Sequence, residues 1–265
     1  MAELVFLKLG GSLITDKDAS YVPRLEKLAE LAGEIHSALA RNGDLRLVLG
    51  HGSGSFGHHA AKKYGTRGGV KTREQWLGFA EVRLRAAELN RHVMEALLTA
   101  GIPAVSFPPS STLVTKNGIV IEFNLAAIRK ALEAHILPVV YGDVVFDEAR
   151  GGTILSTEEV FVSLARELSP ARILLAGLEA GVWEDFPARK RLVNEINSEV
   201  HERMRAGIGG SISADVTGGM ASKVETMLNL SGEIPGLTAQ IFSGEIRGNI
   251  AQALRGKAVG TLIQK

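Results

Sequence analysis

Short apolar runs rich in β-branched residues alternate along this chain with longer segments of helical periodicity. The runs fall at residues 3 to 9, 45 to 50, 102 to 107, 136 to 141, 171 to 176, 238 to 242 and 258 to 263. The helical patterns fall between them, at 24 to 41, 73 to 100, 124 to 134, 156 to 168, 218 to 231 and 246 to 255. Several runs are apolar on both faces, which suits strands covered above and below rather than strands facing water. Such strands separated by helices predict an α/β protein with a mainly parallel sheet. Asn117-Gly118 separates TLVT from IVIEF, so one antiparallel hairpin is expected beside that sheet. Pro-rich or Ser-rich linkers and internal repeats are lacking, and SPAR at 169 to 172 is the best candidate hinge within one domain of two lobes.

Charge and composition narrow the function. Lys plus Arg number 30 and Asp plus Glu 29, so no global basic field points to a nucleic-acid partner, and a basic site has to be local. The chain has no cysteine, which removes disulfides, thiolate nucleophiles and Cys-ligated zinc and suits a cytoplasmic protein. The opening MAELVFLKLGGSLI is too short, and too interrupted by Glu3 and Lys8, for a signal peptide. Later runs stay below the length of a membrane span, so membrane insertion is not expected.

Four stretches have the composition of an anion site. KLGGSL carries Lys8 on a strand, then Gly10, Gly11 and Ser12; two glycines let backbone N–H groups approach a phosphate. Lys17 follows in TDKD, a setting that also suits a solvated loop lysine. LVLGHGSGSFGHH runs from a strand through Gly52, Ser53 and Gly54 into a helix start that carries His58. Its G-x-G-x-x-G invites a dinucleotide reading, but the following AAKKYGTRGGVKTREQ is basic and holds no apolar strand ending in an acid. What remains is a set of amides at a helix N-terminus, a seat for one phosphate, with His58 as a further donor. In VVYGDVVF, Asp143 follows a strand, where it orients lysines or caps a turn. DVTGGMASKVE leads through Gly218 and Gly219 to Lys223 in the first turns of a helix, a place that disfavours a cation unless an anion shares it. Together these stretches describe an enzyme that neutralises crowded phosphates without a Walker-A loop.

The motifs K-L-G-G-S, H-G-S-G-S-F-G-H, G-D-V-V and D-V-T-G-G-M-x-x-K, in that order, closely resemble the amino acid kinase superfamily. G-S-F-G-H, followed by IPAVSFPPSS, is similar to the branch that phosphorylates isopentenyl phosphate, and the likeness runs from about Leu4 to Leu262. The resemblance implies a three-layer αβα sandwich, with an acceptor lobe over about 1 to 168 and a nucleotide lobe over about 169 to 265. It implies transfer of the ATP γ-phosphoryl to isopentenyl phosphate, with Mg2+ held mainly by the nucleotide, in a homodimer. Carried over by position, Lys8 and Lys17 contact the transferring phosphoryl, Gly10, Gly11 and Ser12 cradle ATP phosphates, and Gly218 and Lys223 hold the nucleotide from the far lobe. Gly52, Ser53 and Gly54 lie beside the phosphates, His58 bonds the acceptor, and Asp143 organises the lysines. On the helix at 73 to 100, Trp76, Phe79 and Val82 are the candidates for the isoprenyl pocket, with Ile154 a weaker one.

Three departures from the family pattern stand out. Ser53 replaces a glycine of H-G-G-G; AGLEAGV at 176 to 182 replaces T-D-V-D-G-V; and LSTEE at 155 to 159 replaces S-G-D-D, which puts Thr157 where a glycine would meet the acceptor phosphate. A fosfomycin kinase or another small phosphate or phosphonate kinase is the nearest alternative, and it would want a smaller, more polar pocket. A noncatalytic nucleotide or oxyanion binder is the other, against which the joint presence of Lys8, Lys17, His58, Asp143 and Lys223 argues.

Overall fold

A computed structural model describes residues 3–16, 19–207 and 219–265, with the side chains of His58 and of residues 205–207 outside the described set. The chain opens with strand β1 (Leu4–Leu9), the one-turn helix α1 (Gly11–Ile14) and helix α2 (Leu25–Arg41). Then come β2 (Arg46–His51), α3 (Gly54–Tyr64), the long helix α4 (Arg73–Thr99), β3 (Ala104–Ser106) and the short α5 (Pro109–Thr112). A hairpin of β4 (Leu113–Lys116) and β5 (Ile119–Phe123) precedes α6 (Ala126–Glu133) and β6 (Leu137–Tyr141), and a second hairpin of β7 (Asp143–Asp147) and β8 (Gly151–Leu155) leads into α7 (Thr157–Leu168). The last part holds β9 (Arg172–Gly177), β10 (Val182–Trp183), β11 (Leu192–Val193), β12 (Glu195–Ile196), α8 (Ser198–Gly207), α9 (Gly219–Glu233), β13 (Thr238–Ser243), α10 (Asn249–Leu254) and β14 (Thr261–Ile263).

Eight strands form one sheet in the order β12-β14-β13-β9-β1-β2-β6-β3. From β13 to β3 neighbouring strands run parallel, and only β14 turns antiparallel against β13. All the runs read as strands from the sequence belong to this sheet, and β12 joins them at one edge. Alternate residues feed two cores because side chains of a strand point to opposite faces. Val5, Leu7, Leu9, Leu47 and Leu49 pack beneath α2, α4 and α10, while Phe6, Val48, Val140 and Ile173 pack with Phe161, Leu164 and Met227 of α7 and α9. The result is the expected three-layer αβα arrangement. Among the described residues no helix is long and apolar enough to cross a membrane.

The second sheet is larger than the sequence suggested. Its order is β5-β4-β7-β8, so the Asn117-Gly118 hairpin is joined by another. Asn117 and Gly118 both take positive φ, 53° and 80°, as the expected tight turn requires. Buried Asp147 ties the two hairpins together. Its carboxylate accepts from the Thr115 hydroxyl at 2.8 Å and from the N–H groups of Asn117, Gly118, Ala149 and Arg150 at 2.7 to 3.1 Å. Burial works to raise its pKa, and these donors more than reverse that, holding the carboxyl well below the usual carboxylate range. Asp147→Ala leaves those donors unanswered and is expected to destabilise the chain by about 3 kcal/mol, measured by urea unfolding. Because the folded pKa is depressed, the stabilisation is present at neutral pH and is lost only as pH falls through the folded value. An Ala variant matching the native chain at pH 7 would rule this out.

Candidate active site

Two glycine turns meet at the carboxyl ends of β1 and β2. β1 delivers Lys8 and then Gly10, whose N–H donates to Ala176 O at 2.8 Å, while the Gly52 N–H after β2 donates to Leu9 O at 2.9 Å. A Cβ on Gly11 would lie 2.3 Å from the Gly54 nitrogen, and a Cβ on Gly52 would lie 2.7 Å from the Gly11 nitrogen. The turns therefore touch backbone to backbone, which only residues without side chains permit. Gly54 also takes a φ of +48°, and it starts α3, whose N-terminal amides face the same place. Thr15 pins the junction, donating to Gly11 O at 2.9 Å and accepting from the Ser55 N–H at 3.2 Å.

A third glycine brings up the counterion. Gly50 pairs in register with Lys8, and a Cβ there would come within 2.6 Å of both Phe161 and Thr157. Its absence lets the start of α7 sit close on the sheet. That start is fixed by a capping box, in which Glu159 N–H donates to the Ser156 hydroxyl at 3.2 Å and the Glu159 carboxylate accepts from Ser156 N–H at 2.6 Å. Ser156 and Glu159 being so occupied, Glu158 reaches the buried ammonium of Lys8 and forms an ion pair with it. Lys223 of α9 adds its charge to the same group.

Electrostatics make this pair consequential. Burial pulls the Lys8 pKa below the usual lysine value, Glu158 opposes that, and Lys223 reinforces it. Burial pushes Glu158 up, but the Lys8 charge and hydrogen bond bring it below the ordinary glutamate value. Without Glu158, Lys8 loses what resists its deprotonation, so its pKa falls further. Glu158→Gln is thus expected to move the basic limb of the pH profile of kcat/KM for ATP toward lower pH. An unmoved limb would remove Glu158 from the charge balance.

Asp143, expected to organise the lysines, has Arg83 as its ion-pair partner among the described residues. It stands at the seam where the chain leaves the main sheet, and its oxygens meet Arg83 Nε at 3.4 Å and the N–H groups of Ser110 at 3.3 Å and Val144 at 2.9 Å. The carboxylate bonded to Lys8 is Glu158. Burial raises Asp143 to about 6 against the opposing charge of Arg83.

These groups line one cavity of about 830 Å³, which also takes in Ser12, Ser53, Val82, Ile154 and Thr157. The Thr157 hydroxyl donates to His51 O at 2.7 Å, so that proton is directed into the protein. Trp76 and Phe79, expected in the pocket wall, do not line it. They form an edge-on aromatic pair 5.2 Å apart that continues to Phe146, and Phe79 packs in a small core with Ala60, Val70, Val82 and Val144. The helical stripe was correctly seen, but β8 stands against its first turns, and the cavity meets α4 only from Val82 to Ala86. Lys17 and Gly218 lie outside the described residues, and for His58 only its place in α3 is described.

At the other end the cavity is walled by Val182, Ile196, Met204, Met220, Val224 and Ile241. Here Glu179, from the AGLEAGV departure, accepts from Trp183 Nε1 at 2.9 Å and from Arg189 Nε and Nη2 at 2.9 and 2.7 Å. Sequence reasoning missed Glu158, Glu179 and Arg83. The pattern S-x-x-E at 156 to 159 is a signal that could have singled out Glu158 as the acid not needed for capping.

Comparison with known proteins agrees with this arrangement. The profile of the amino acid kinase family matches residues 3–243. Isopentenyl phosphate kinase of Methanocaldococcus jannaschii is 35% identical over 231 residues, 84% of this chain and 85% of that protein. The same-named protein of Methanothermobacter thermautotrophicus is 35% identical over 239 residues, 86% of this chain and 87% of that protein. A crystallised isopentenyl phosphate kinase superposes with a TM-score of 0.83 at 31% identity, covering 98% of this chain and 100% of that one. A Thermoplasma acidophilum kinase of that name, at 23% identity and a TM-score of 0.78, shares the fold. Matched by that family profile over most of its length, and at 35% identity by relatives covered to more than four fifths, the chain belongs to the amino acid kinase family, on its isopentenyl phosphate kinase branch.

Proposed function

We propose that the chain transfers the γ-phosphoryl group of ATP to isopentenyl phosphate, giving isopentenyl diphosphate and ADP. The observation that carries this reading is a single cavity with a cationic, amide-lined centre and an apolar wall at each end. Val82, Ala86 and Ile154 offer one wall to a short hydrocarbon tail, and Val182, Met220 and Val224 offer the other to a base. The first wall comes from residues before 168 and the second from residues after 169, which supports an acceptor lobe and a nucleotide lobe.

No general base is required. An alkyl phosphate loses its second proton at a pKa of about 6, so the attacking oxygen is already ionised at neutral pH. The obstacle is repulsion between two phosphates, which placed positive charge and amides relieve. Lys8, held by Glu158, would turn to the transferring phosphoryl, and Lys223 would hold the nucleotide from α9. The amides after Gly52 and at the start of α3 would seat the acceptor, His58 would bond it, and Lys17 would stand with Lys8. Among the described residues no cluster of His, Asp or Glu side chains could hold a metal by itself. Mg2+ would arrive on the ATP phosphates, since this ion keeps waters and phosphate oxygens as ligands, and would supply further positive charge there.

ADP release measured with isopentenyl, dimethylallyl and geranyl phosphates and with fosfomycin tests the reading. Isopentenyl phosphate is expected to give the highest kcat/KM, and preference for fosfomycin would overturn it in favour of a phosphonate kinase. A cytoplasmic homodimer is the assembly we expect. Leu77, Leu84 and Leu98 stand exposed at seven- and fourteen-residue spacing on α4, a row suited to a second copy. Sedimentation at twice the 28.3 kDa chain mass is the expected result, and a monomer would refute it.

A further inference from the structure

His51, wholly buried at the end of β2, is a titratable group that the mechanism above does not use. Its Nδ1 lies 3.1 Å from the carbonyl oxygen of Gly52 and its Nε2 lies 3.2 Å from Asn90 Oδ1 on α4. The ring stacks on Tyr141, with centroids 5.1 Å apart and an interplanar angle of 12°. Its own carbonyl accepts from Thr157 Oγ1 and from the Gly142 N–H. Such complete fixation is unusual for a ring beside a glycine turn, and it falls where the cavity begins: Gly52 and Ser53 line the cavity, while His51 does not.

The peptide joining Gly52 to Ser53 is planar and trans, so its C=O and N–H point in opposite directions. Whatever holds the carbonyl inward aims the Ser53 N–H outward. Gly52, without a Cβ, leaves this peptide otherwise free to turn over. We infer that His51 is a positioning residue: its Nδ1–H holds the Gly52 carbonyl and so directs the Ser53 N–H at the acceptor phosphate, while Asn90 fixes the tautomer. The inference rests on the proposed reading of this turn as the acceptor's seat.

The tautomer follows from the partners. Burial, aided by the Lys8 charge, keeps the ring from taking a second proton against the pull of its hydrogen bonds. A neutral imidazole has one N–H, and a carbonyl oxygen can only accept, so Nδ1 carries the proton. Nε2 must then accept, which requires the Asn90 amide to be turned end for end, its nitrogen taking the place of Oδ1. The same turn puts the Asn90 oxygen in the place of Nδ2, 2.9 Å from Ser106 Oγ, and the Ser106 hydroxyl then donates to it. Every polar group of the set is satisfied in this arrangement, and α4 is tied through Asn90 to the phosphate seat.

Two replacements separate this role from simple packing. In His51→Asn the amide NH2 stands near the place of Nδ1 and can still hold Gly52 O; in His51→Gln it reaches toward Asn90 instead. The Asn variant is expected to keep kcat/KM for isopentenyl phosphate within about threefold, and the Gln variant to lose at least about tenfold, through KM for the acceptor, with KM for ATP unchanged. Equal losses that follow the melting temperature would overturn the inference. If neither variant folds, the ¹⁵N spectrum of native His51 decides: a protonated Nδ1 supports the lock, and a protonated Nε2 with bare Nδ1 refutes it. Should the native chain fail to phosphorylate isopentenyl phosphate, the proposed function falls, but calorimetric binding of inorganic phosphate to the two variants must still show the same order or the lock falls too.

Discussion

A Lys8→Met enzyme is expected to show kcat lowered by about a hundredfold to a thousandfold, with kcat/KM lowered in the same proportion. Lys8 is buried and lines the cavity together with the two glycine turns. Removing one preorganised charge or donor aimed at a developing anion costs rate on that scale, and a group that acts in the transition state lowers kcat and kcat/KM together. Met preserves the length of the stem, so packing against the sheet survives. The variant leaves Glu158 without its partner in a buried place, and a carboxylate there would itself repel phosphates. Lys8→Met combined with Glu158→Gln separates the two effects. If Lys8 acts on the phosphoryl group, the double variant stays as slow as the single one; a recovery to near-native rate would mean that the orphaned carboxylate was the cause. Native turnover in Lys8→Met would end the assignment outright.

His58→Ala is expected to lower kcat/KM for isopentenyl phosphate by at least about a hundredfold while ATP binds as before. His58 lies in the first turns of α3, whose opening amides are proposed as the acceptor's seat. A charge-assisted donor at a doubly ionised phosphate contributes more than a neutral hydrogen bond, and on the proposed reading it would also orient the attacking oxygen along the line of transfer. Fluorescence or calorimetric titration with ATP provides the control. Parallel loss of ATP affinity would place His58 on the nucleotide side, and an unchanged kcat/KM would remove it from the site.

What the sequence disclosed followed the range of the forces involved. Strand and helix order is written in local periodicity, so β1, β2, β6, β9 and β13 and the helices between them were legible, as was the turn at Asn117-Gly118. Contacts between distant segments were not. Glu158 meets Lys8 across 150 positions because Gly50 admits α7, and nothing in LSTEE read alone reveals that approach. The stripe on α4 was legible as a buried face, but which of its turns meets a void and which meets β8 depends on the second hairpin. That hairpin was itself unread, because VVYGDVVF looks like one strand and a turn. The sequence therefore puts Trp76 and Phe79 one layer too far forward, and it does not disclose that the carboxylate on Lys8 is Glu158.

The contact between Gly11 and Gly54 has a consequence for how such an enzyme diversifies. On the proposed reading, donor and acceptor cradles would be partitioned by a wall one main chain thick, so the gap across which the phosphorus travels would be gauged by backbone van der Waals contact. Side-chain variation cannot widen or narrow it. New acceptors must therefore be won at the distant hydrocarbon wall, where residues are exchangeable, while the chemical step beneath them stays invariant.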